Sequence, residues 1–372
     1  MRVLFTASTP SHIFNFHLPY LRQFKALGWQ VDVACGAPGG DIPGADRVIA
    51  LPFRKKITAP SNFRAVSVLR KVFKHTDYDL IITHTALAAF FTRLALPKKG
   101  PRPMVVNMVH GYLFDLQSPR FKDRLLLRAE RMTAGRTDLV LTMNQADLAI
   151  AQAQELGLRV EYVPGVGVDF GRLDGALGQD RAALRRGLGL GEDEFVLLYA
   201  AEFSKRKNQA LLLRALAQLP GHVTLALAGQ GLELEACNAL AKELHVDGRV
   251  RFLGQVTDMG PWYAAADAAV SSSRSEGLPF NIMEAMYAAL PIVATACKGH
   301  TDLLTHGQSG LLYPVDDPAA CAGAIGRLLE DAELRTRLGR AAHEGALDYQ
   351  LDAVLPQVME QYLSVVKVPA IV

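Results

Sequence analysis

The sequence predicts an α/β protein made of two doubly wound, Rossmann-like domains, and three observations carry that prediction. The chain has 372 residues, more than one ordinary core accommodates. Short apolar β-type runs alternate with helical patterns from one end to the other. These runs are hydrophobic almost throughout rather than alternating, as strands are when a parallel sheet is covered on both faces.

In the first half the runs are RVLFTAS, QVDVACG, DLIITHT, PMVVNMVHG, LVLTMN and RVEYVPG. In the second half they are FVLLYAAE, VTLALAGQG, RVRFLGQ, AAVSSSRSEG, PIVATA and GLLYP. Between the two sets, Pro164-Gly165-Val166-Gly167-Val168-Asp169 leads into a polar segment and marks a boundary within 164–190. The expected division is 1–168, 169–345, and a terminal segment 346–372 whose helical pattern packs back on the body. Open α/β sheets bind ligands beyond the carboxyl ends of their strands, so two of them facing across a cleft can hold two substrates.

Composition narrows the class. Half of the residues are apolar and 21% are charged, which is globular material and not a disordered chain. Cys35, Cys237, Cys297 and Cys321 are scattered, with no C-x-x-C spacing. They read as reduced, buried thiols, and no His/Cys/Asp group shows metal-ligand spacing, so no metal or other cofactor is expected. MRVLFTAS lacks a signal-peptide core, and no apolar run is long enough to span a bilayer. A cytoplasmic protein is expected. Net charge is +3, but residues 1–175 hold 23 Lys+Arg against 14 Asp+Glu and the remainder 17 against 23. A basic first half suits an anionic partner, while chance imbalance between two solvated surfaces gives the same count.

The chemistry concentrates in SEGLPFNIMEA, residues 275–285. A strand ends near Ser273, and Glu276-Gly277-Leu278-Pro279-Phe280-Asn281 enters a helix expected to run to about Leu290. Pro279 is tolerated at a helix start, and the free N–H groups of that first turn favour an anion such as a diphosphate. Carboxylates repel phosphate, so Glu276 and Glu284 suit sugar hydroxyls instead. Glu284 leans back toward the helix start, where a ribose would lie. Taken alone, the pair reads equally as two solvated glutamates on a surface helix. Lys205, Arg206 and Lys207 follow the strand FVLLYA, where they can neutralise diphosphate or form an exposed basic turn. Gly229-Gln230-Gly231 is a strand-to-helix turn that any Rossmann-like domain can supply.

These second-half motifs resemble those of the family 4 retaining glycosyltransferases of the GT-B fold, in particular bacterial enzymes of exopolysaccharide, capsule or lipopolysaccharide assembly. The glutamate, seven residues and glutamate of that family match Glu276 and Glu284. Its strand-then-lysine motif matches Lys207, and its Pro-x-Gly-Val-Asp linker resembles Pro164 to Asp169. The resemblance implies that Glu276 contacts the donor sugar, that Glu284 contacts the ribose, and that backbone groups of Leu278 to Asn281 cradle the diphosphate. It places Gly254 to Val256 near the base. Many members carry arginine where this chain has Glu202, so the Arg-plus-Lys clamp is halved and Lys205 or Arg206 compensates.

In the first half, Thr9-Pro10-Ser11-His12 ends the first strand and FNFHLPYLRQF opens the first helix, similar to the His-Leu-Pro helix start of the polysaccharide subgroup. His12 reads as a substrate contact, a capping group or a core histidine. His110-Gly111 matches the family's His-Gly position, which implies a contact between His110 and the donor sugar. A histidine packed at a strand end is the other reading. His84 and His300 are weaker candidates.

Two basic amphipathic patterns, 62–75 and 120–132, fit either an anionic membrane carrying a lipid-linked acceptor or helices that cover a sheet. No nucleic-acid module is present in the sequence. The expected activity is transfer of a sugar from a nucleoside diphosphate sugar to a glycan or polyprenyl-linked acceptor, with retention. UDP follows from the family's commonest usage, and GDP stays open. A sugar-nucleotide 2-epimerase and an inactive nucleotide-sugar-binding assembly partner are the alternatives.

Overall fold

The computed structural model describes residues 1–37, 39–54, 59–97, 100–114, 116, 119 and 121–366. The chain divides into two compact units, residues 1–166 with 352–372, and residues 167–351. The break falls two residues before the one expected, and the terminal segment differs more. Residue 346 ends one helix, Ala332–Ala346, and the last helix, Leu351–Ser364, follows after a short 3-10 turn. That last helix joins the first unit, where Tyr362 is fully buried and lies against Tyr20 and Phe24 at ring-centroid distances of 5.9 and 6.3 Å.

The first unit holds a parallel sheet of β1 (Arg2–Ala7), β2 (Gln30–Gly36), β3 (Arg47–Leu51), β4 (Leu80–His84), β5 (Met104–Val109), β6 (Leu139–Thr142) and β7 (Arg159–Tyr162). Their order is β3-β2-β1-β4-β5-β6-β7. The reading from sequence leaves out β3, a five-residue edge strand with only Ile49 and Leu51 buried. Chain direction across this sheet reverses between β1 and β4, the switch point beyond which open α/β sheets bind ligands.

The second unit holds β8 (Phe195–Ala200), β9 (Val223–Ala228), β10 (Val250–Gly254), β11 (Ala268–Ser271), β12 (Ile292–Thr295) and β13 (Leu311–Tyr313), in the order β10-β9-β8-β11-β12-β13. All described pairings are parallel here too. Its switch point lies between β8 and β11. The core is made by the sheet and its flanking helices, with Leu197, Leu225, Val270 and Val293 meeting Leu212, Ile325 and Leu328. At full burial a side chain of this size contributes roughly 1.5–3 kcal/mol, which is what continuous apolar runs provide on both faces of a sheet.

The helix Pro60–His75 buries Ala65, Val66, Leu69 and Val72 against the first sheet, so its apolar stripe is used in the core. Phe63 is exposed, although its ring meets Phe91 edge-on at 5.2 Å. The other basic segment differs. In Phe121–Ala134 only Glu130 and Thr133 are buried, and Phe121, Leu125 and Met132 are exposed. Arg120, which opened that segment in the sequence reading, lies outside the described residues. No helix among the described residues is long and apolar enough to cross a membrane, and all four cysteines are free and buried.

Candidate active site

In the second unit, both loops at the switch point carry charge. Strand β11 stops at Ser271, two residues earlier than expected; Ser272 and Ser273 are buried, and exposed Arg274 and half-buried Ser275 lead to buried Glu276. The next helix is Phe280–Tyr287, with Pro279 as its N-cap in extended backbone. It ends short of Leu290 because Ala289 has a left-handed φ of 55°, which no helix continues through. Leu278 and Pro279 are buried at the helix start, while Gly277, Phe280 and Asn281 are half-buried there.

Both glutamates are about 7% exposed, so neither is a solvated surface group. A buried carboxylate must find partners, and each has done so. Lys207 Nζ donates to Glu276 Oε1 at 2.6 Å and Arg206 donates to Oε2 at 2.7 Å. Burial works to raise the Glu276 pKa, but the Lys207 and Arg206 charges and the hydrogen bonds from Lys207 and Ser273 outweigh it and take it down to about 2. Burial pulls Lys207 below the ordinary lysine range, with Glu276 pulling the other way. One carboxylate and two cations leave a net charge of about +1 at the end of β8. The basic turn is therefore an organised pair and not a run of solvated charge. Lys205 and Glu202 are exposed.

Glu284 is held differently. Tyr263 donates to Oε2 at 2.8 Å and Arg172 pairs with Oε1. Neither partner was singled out in the sequence. Arg172 comes from the helix Gly171–Leu177 just past the boundary, and Tyr263 from Gly260–Ala265. The Asp169-Phe170-Gly171-Arg172 step beside the boundary was the available signal for Arg172, and Tyr263 had none. Gly254 has a φ of 66° at the end of β10, and Val256 follows it half-buried.

Gly299 fixes the back of this site. Its φ is 82°, and a Cβ there would stand 2.8 Å from both Glu276 Cβ and the Gly277 carbonyl oxygen. His300, a weaker candidate from the sequence, starts a helix and is fully buried beside Ser271 Oγ at 3.1 Å and the Thr295 carbonyl at 2.8 Å. It supports the strand ends from inside the core.

The first unit gathers side chains that no spacing in the sequence joins. No ligand-spaced cluster was visible in the sequence, yet His12, His17, His84 and His110 each bring a ring nitrogen within 4.8 Å of the others. His12 lies in the helix Pro10–Phe16 after β1 and His17 caps its C-terminal end, His84 ends β4, and His110 follows β5. The opening helix is in fact two, broken at His17 before Leu18–Ala26, so that the His-Leu-Pro start belongs to the second. His110 Nε2 stands 3.2 Å from both His12 Nε2 and His84 Nδ1. Burial lowers the pKa of His12 to about 4 and those of the other three well below the ordinary value. The pair His12 and His17, in one short helix and at its C-cap, was the overlooked signal.

The model of glycosyl transferases group 1 matches residues 180–345, and that of glycosyltransferase family 4 matches residues 20–164. The chain is 31% identical over 366 residues to EpsD of Bacillus subtilis (strain 168), a protein named as a glycosyltransferase, covering 97% of this chain and 96% of that one. It is 34% identical over 365 residues to the D-inositol 3-phosphate glycosyltransferase of Geodermatophilus obscurus, covering 88% and 80%. Among solved structures, HepE of Anabaena in complex with UDP superposes with a TM-score of 0.78 at 24% identity, over 98% of this chain and 100% of that one.

Proposed function

The chain belongs to the family 4 glycosyltransferases, and we propose that it moves a sugar from a nucleoside diphosphate sugar, a UDP-sugar in the first instance, to a hydroxyl of a glycan or lipid-linked acceptor with retention at the anomeric carbon. That it is a transferase with two Rossmann-like units of the GT-B type follows from the family and the fold. Donor, stereochemistry and acceptor are the proposal.

The observation that carries it is the placement of two buried, partnered glutamates at either side of the Leu278 to Asn281 helix entry. The leaving diphosphate would sit on the N–H groups of that entry, drawn by the local positive charge. Lys207 and Arg206 would then bridge between Glu276 and the phosphate oxygens, stabilising charge as it develops. Glu276 keeps acceptor capacity for hydroxyls of the transferred sugar, and Glu284, oriented by Tyr263 and Arg172, keeps it for the ribose. In the transfer the C1–O bond to phosphate breaks, the C1–O bond to the acceptor forms on the same face, and the departing phosphate takes the acceptor's proton. The sugar passes through an oxocarbenium-like state. Protein cations supply the charge at the diphosphate, so no metal is required there.

Support for UDP comes from HepE, whose related fold is solved with UDP and with UDP-glucose. Support for surface polysaccharide comes from a lipopolysaccharide core glycosyltransferase of Rhizobium meliloti, 38% identical over 152 residues, 41% of this chain and 44% of that one. A lipid-linked acceptor is favoured by the first unit. There an apolar pocket lined by Leu87, Phe90, Phe91, Leu113, Phe114 and Leu126 lies beside the helix Phe121–Ala134.

Incubation with a panel of labelled UDP- and GDP-sugars tests the reading. Release of nucleoside diphosphate with slow hydrolysis, or transfer to added acceptor with an NMR-defined retained anomer, supports it. Interconversion at C2 would make the protein an epimerase, and binding without turnover would make it a sensor.

A further inference from the structure

We propose that Asp316, in the turn after β13, is a positioning residue for the site in the second unit: its carboxylate joins the loops after β8 and β11 and holds Arg206 and Lys207 where a leaving diphosphate meets them. The inference rests on the donor reading above and adds to it a residue outside the set that touches the donor.

Hydrogen bonds trace the connection. Asp316 Oδ1 accepts from Asn208 Nδ2 at 2.9 Å and from Arg274 Nε at 2.8 Å, and Arg274 Nε also reaches Oδ2 at 3.1 Å. Asn208 directly follows Lys207, and Arg274 lies two residues before Glu276. Arg274 in turn holds the other side of the cation loop. Its backbone N–H donates to the Arg206 carbonyl at 2.8 Å, and its guanidinium donates to the Lys205 carbonyl. Arg206 donates back to the Ser275 carbonyl at 3.0 Å and to Glu276 Oε2 at 2.7 Å. One carboxylate thus fixes the residues on both sides of Lys207 and the approach to Glu276, from a strand that is not adjacent to β8 or β11.

Backbone conformation gives an independent sign. Asp316 and Asn208 have left-handed φ values of 63° and 54°, where glycine is the undemanding choice and Asp and Asn are enriched among the other residues. The two side chains are used on each other. Residues held in this region gather at functional sites.

Lys207 is also anchored from the strand side. Ser272 Oγ donates to the Lys207 and Asn208 carbonyls, both at 2.9 Å, and the Tyr199 hydroxyl donates to the Lys207 carbonyl at 3.2 Å. A variant at Asp316 therefore keeps the fold and frees chiefly the Arg206 side of the loop. The Asp316 and Arg274 side chains are 54% and 43% exposed, and an exposed ion pair adds little to stability. Its effect here is on geometry, to which diphosphate binding by two cations is sensitive.

The test compares Asp316→Gly, which suits the left-handed backbone and deletes the carboxylate, with Asp316→Asn, which keeps one acceptor oxygen. Without nucleotide, amide hydrogen exchange in residues 204–208 and 272–276 should be several-fold faster in Asp316→Gly and intermediate in Asp316→Asn, while Tm moves by no more than roughly 3 °C. Affinity for UDP, measured by calorimetry, should fall roughly tenfold in Asp316→Gly and be partly restored in Asp316→Asn. Asp316→Gly should add little to the loss already caused by Arg206→Ala. Glu344→Ala, which breaks the exposed Arg340–Glu344 pair of the same unit, should change neither exchange in the two loops nor affinity. Unchanged exchange in Asp316→Gly overturns the proposal. So does unchanged UDP affinity, or a loss of the same size on the Arg206→Ala background. A wild-type protein that binds neither UDP nor GDP defeats the donor reading and with it any role in transfer, while the exchange measurement still decides whether Asp316 joins the two loops.

Discussion

Lys207 and Glu276 form a short ion pair, Nζ to Oε1 at 2.6 Å, with side chains only 12% and 6% exposed. They come from the loops after β8 and β11, the two strands that flank the switch point of the second sheet. Breaking such a pair from one side strands a buried charge, and here Arg206 softens the loss. Lys207→Met should therefore cost about 3 kcal/mol and lower Tm by roughly 10 °C. Lys207→Met with Glu276→Gln should recover part of it. Differential scanning calorimetry of the four proteins in this cycle checks the coupling, and purely additive losses would contradict the pair.

The same pair sets a pH dependence. The folded pKa of Glu276 lies near 2, below the ordinary glutamate value of 4.5. A depressed folded pKa means that the unfolded chain binds the proton first. The contribution of Glu276 to stability is thus complete above about pH 4.5 and is lost as pH falls toward 2. Denaturant midpoints measured between those limits should fall less steeply in Glu276→Gln than in the wild-type protein.

Glu284 is oriented by a tyrosine hydroxyl that burial keeps protonated. Tyr263→Phe removes one hydrogen bond to a charged acceptor, worth about 1.5–3 kcal/mol. If the ribose reading holds, UDP affinity measured by calorimetry should drop by roughly tenfold or more in that variant. Glu284→Ala should lose more, and Glu276→Ala should chiefly lower turnover.

Gly299 lies behind Glu276 with no room for a side chain. Gly299→Ala adds a methyl group 2.8 Å from Glu276 Cβ at a φ that L residues rarely adopt, so a cost of about 1–3 kcal/mol is expected from the backbone alone. Because the methyl also pushes on the glutamate, sugar release should fall even at temperatures where circular dichroism reports a folded protein.

Phe121, Leu125 and Met132 are exposed on a helix that also carries Lys122, Arg124, Arg128 and Arg131. Phe121→Ser with Leu125→Ser should reduce co-sedimentation with anionic vesicles several-fold while changing Tm little, because surface sites contribute within about 0.5 kcal/mol. Equal sedimentation of both proteins would remove the membrane from the reading of this helix.

The contrast between the two basic helices shows what a linear pattern leaves undecided. An apolar stripe with cations opposite it is the same pattern whether the stripe meets a sheet, as Val66, Leu69 and Val72 do, or solvent, as Phe121 and Leu125 do. The glutamate pair was legible for the opposite reason. Strand, turn, proline and helix occur in one continuous stretch, and local geometry alone brings Glu276 and Glu284 to the same helix entry.

By itself, the sequence determined the two parallel sheets, the boundary near Pro164 and the helix entry at Leu278, because hydrophobic period and turn chemistry act between near neighbours. The tertiary structure alone decided that Glu276 is clamped by Lys207, that Arg172 and Tyr263 hold Glu284, and that four histidines from the ends of β1, β4 and β5 converge. Apart from His12 and His17, which are near neighbours, the partners that meet lie from 21 to 112 residues apart along the chain. Strand order, which sets β1 beside β4 and β8 beside β11, brings the histidines and the Lys207–Glu276 pair together, and helix packing brings Arg172 and Tyr263 to Glu284.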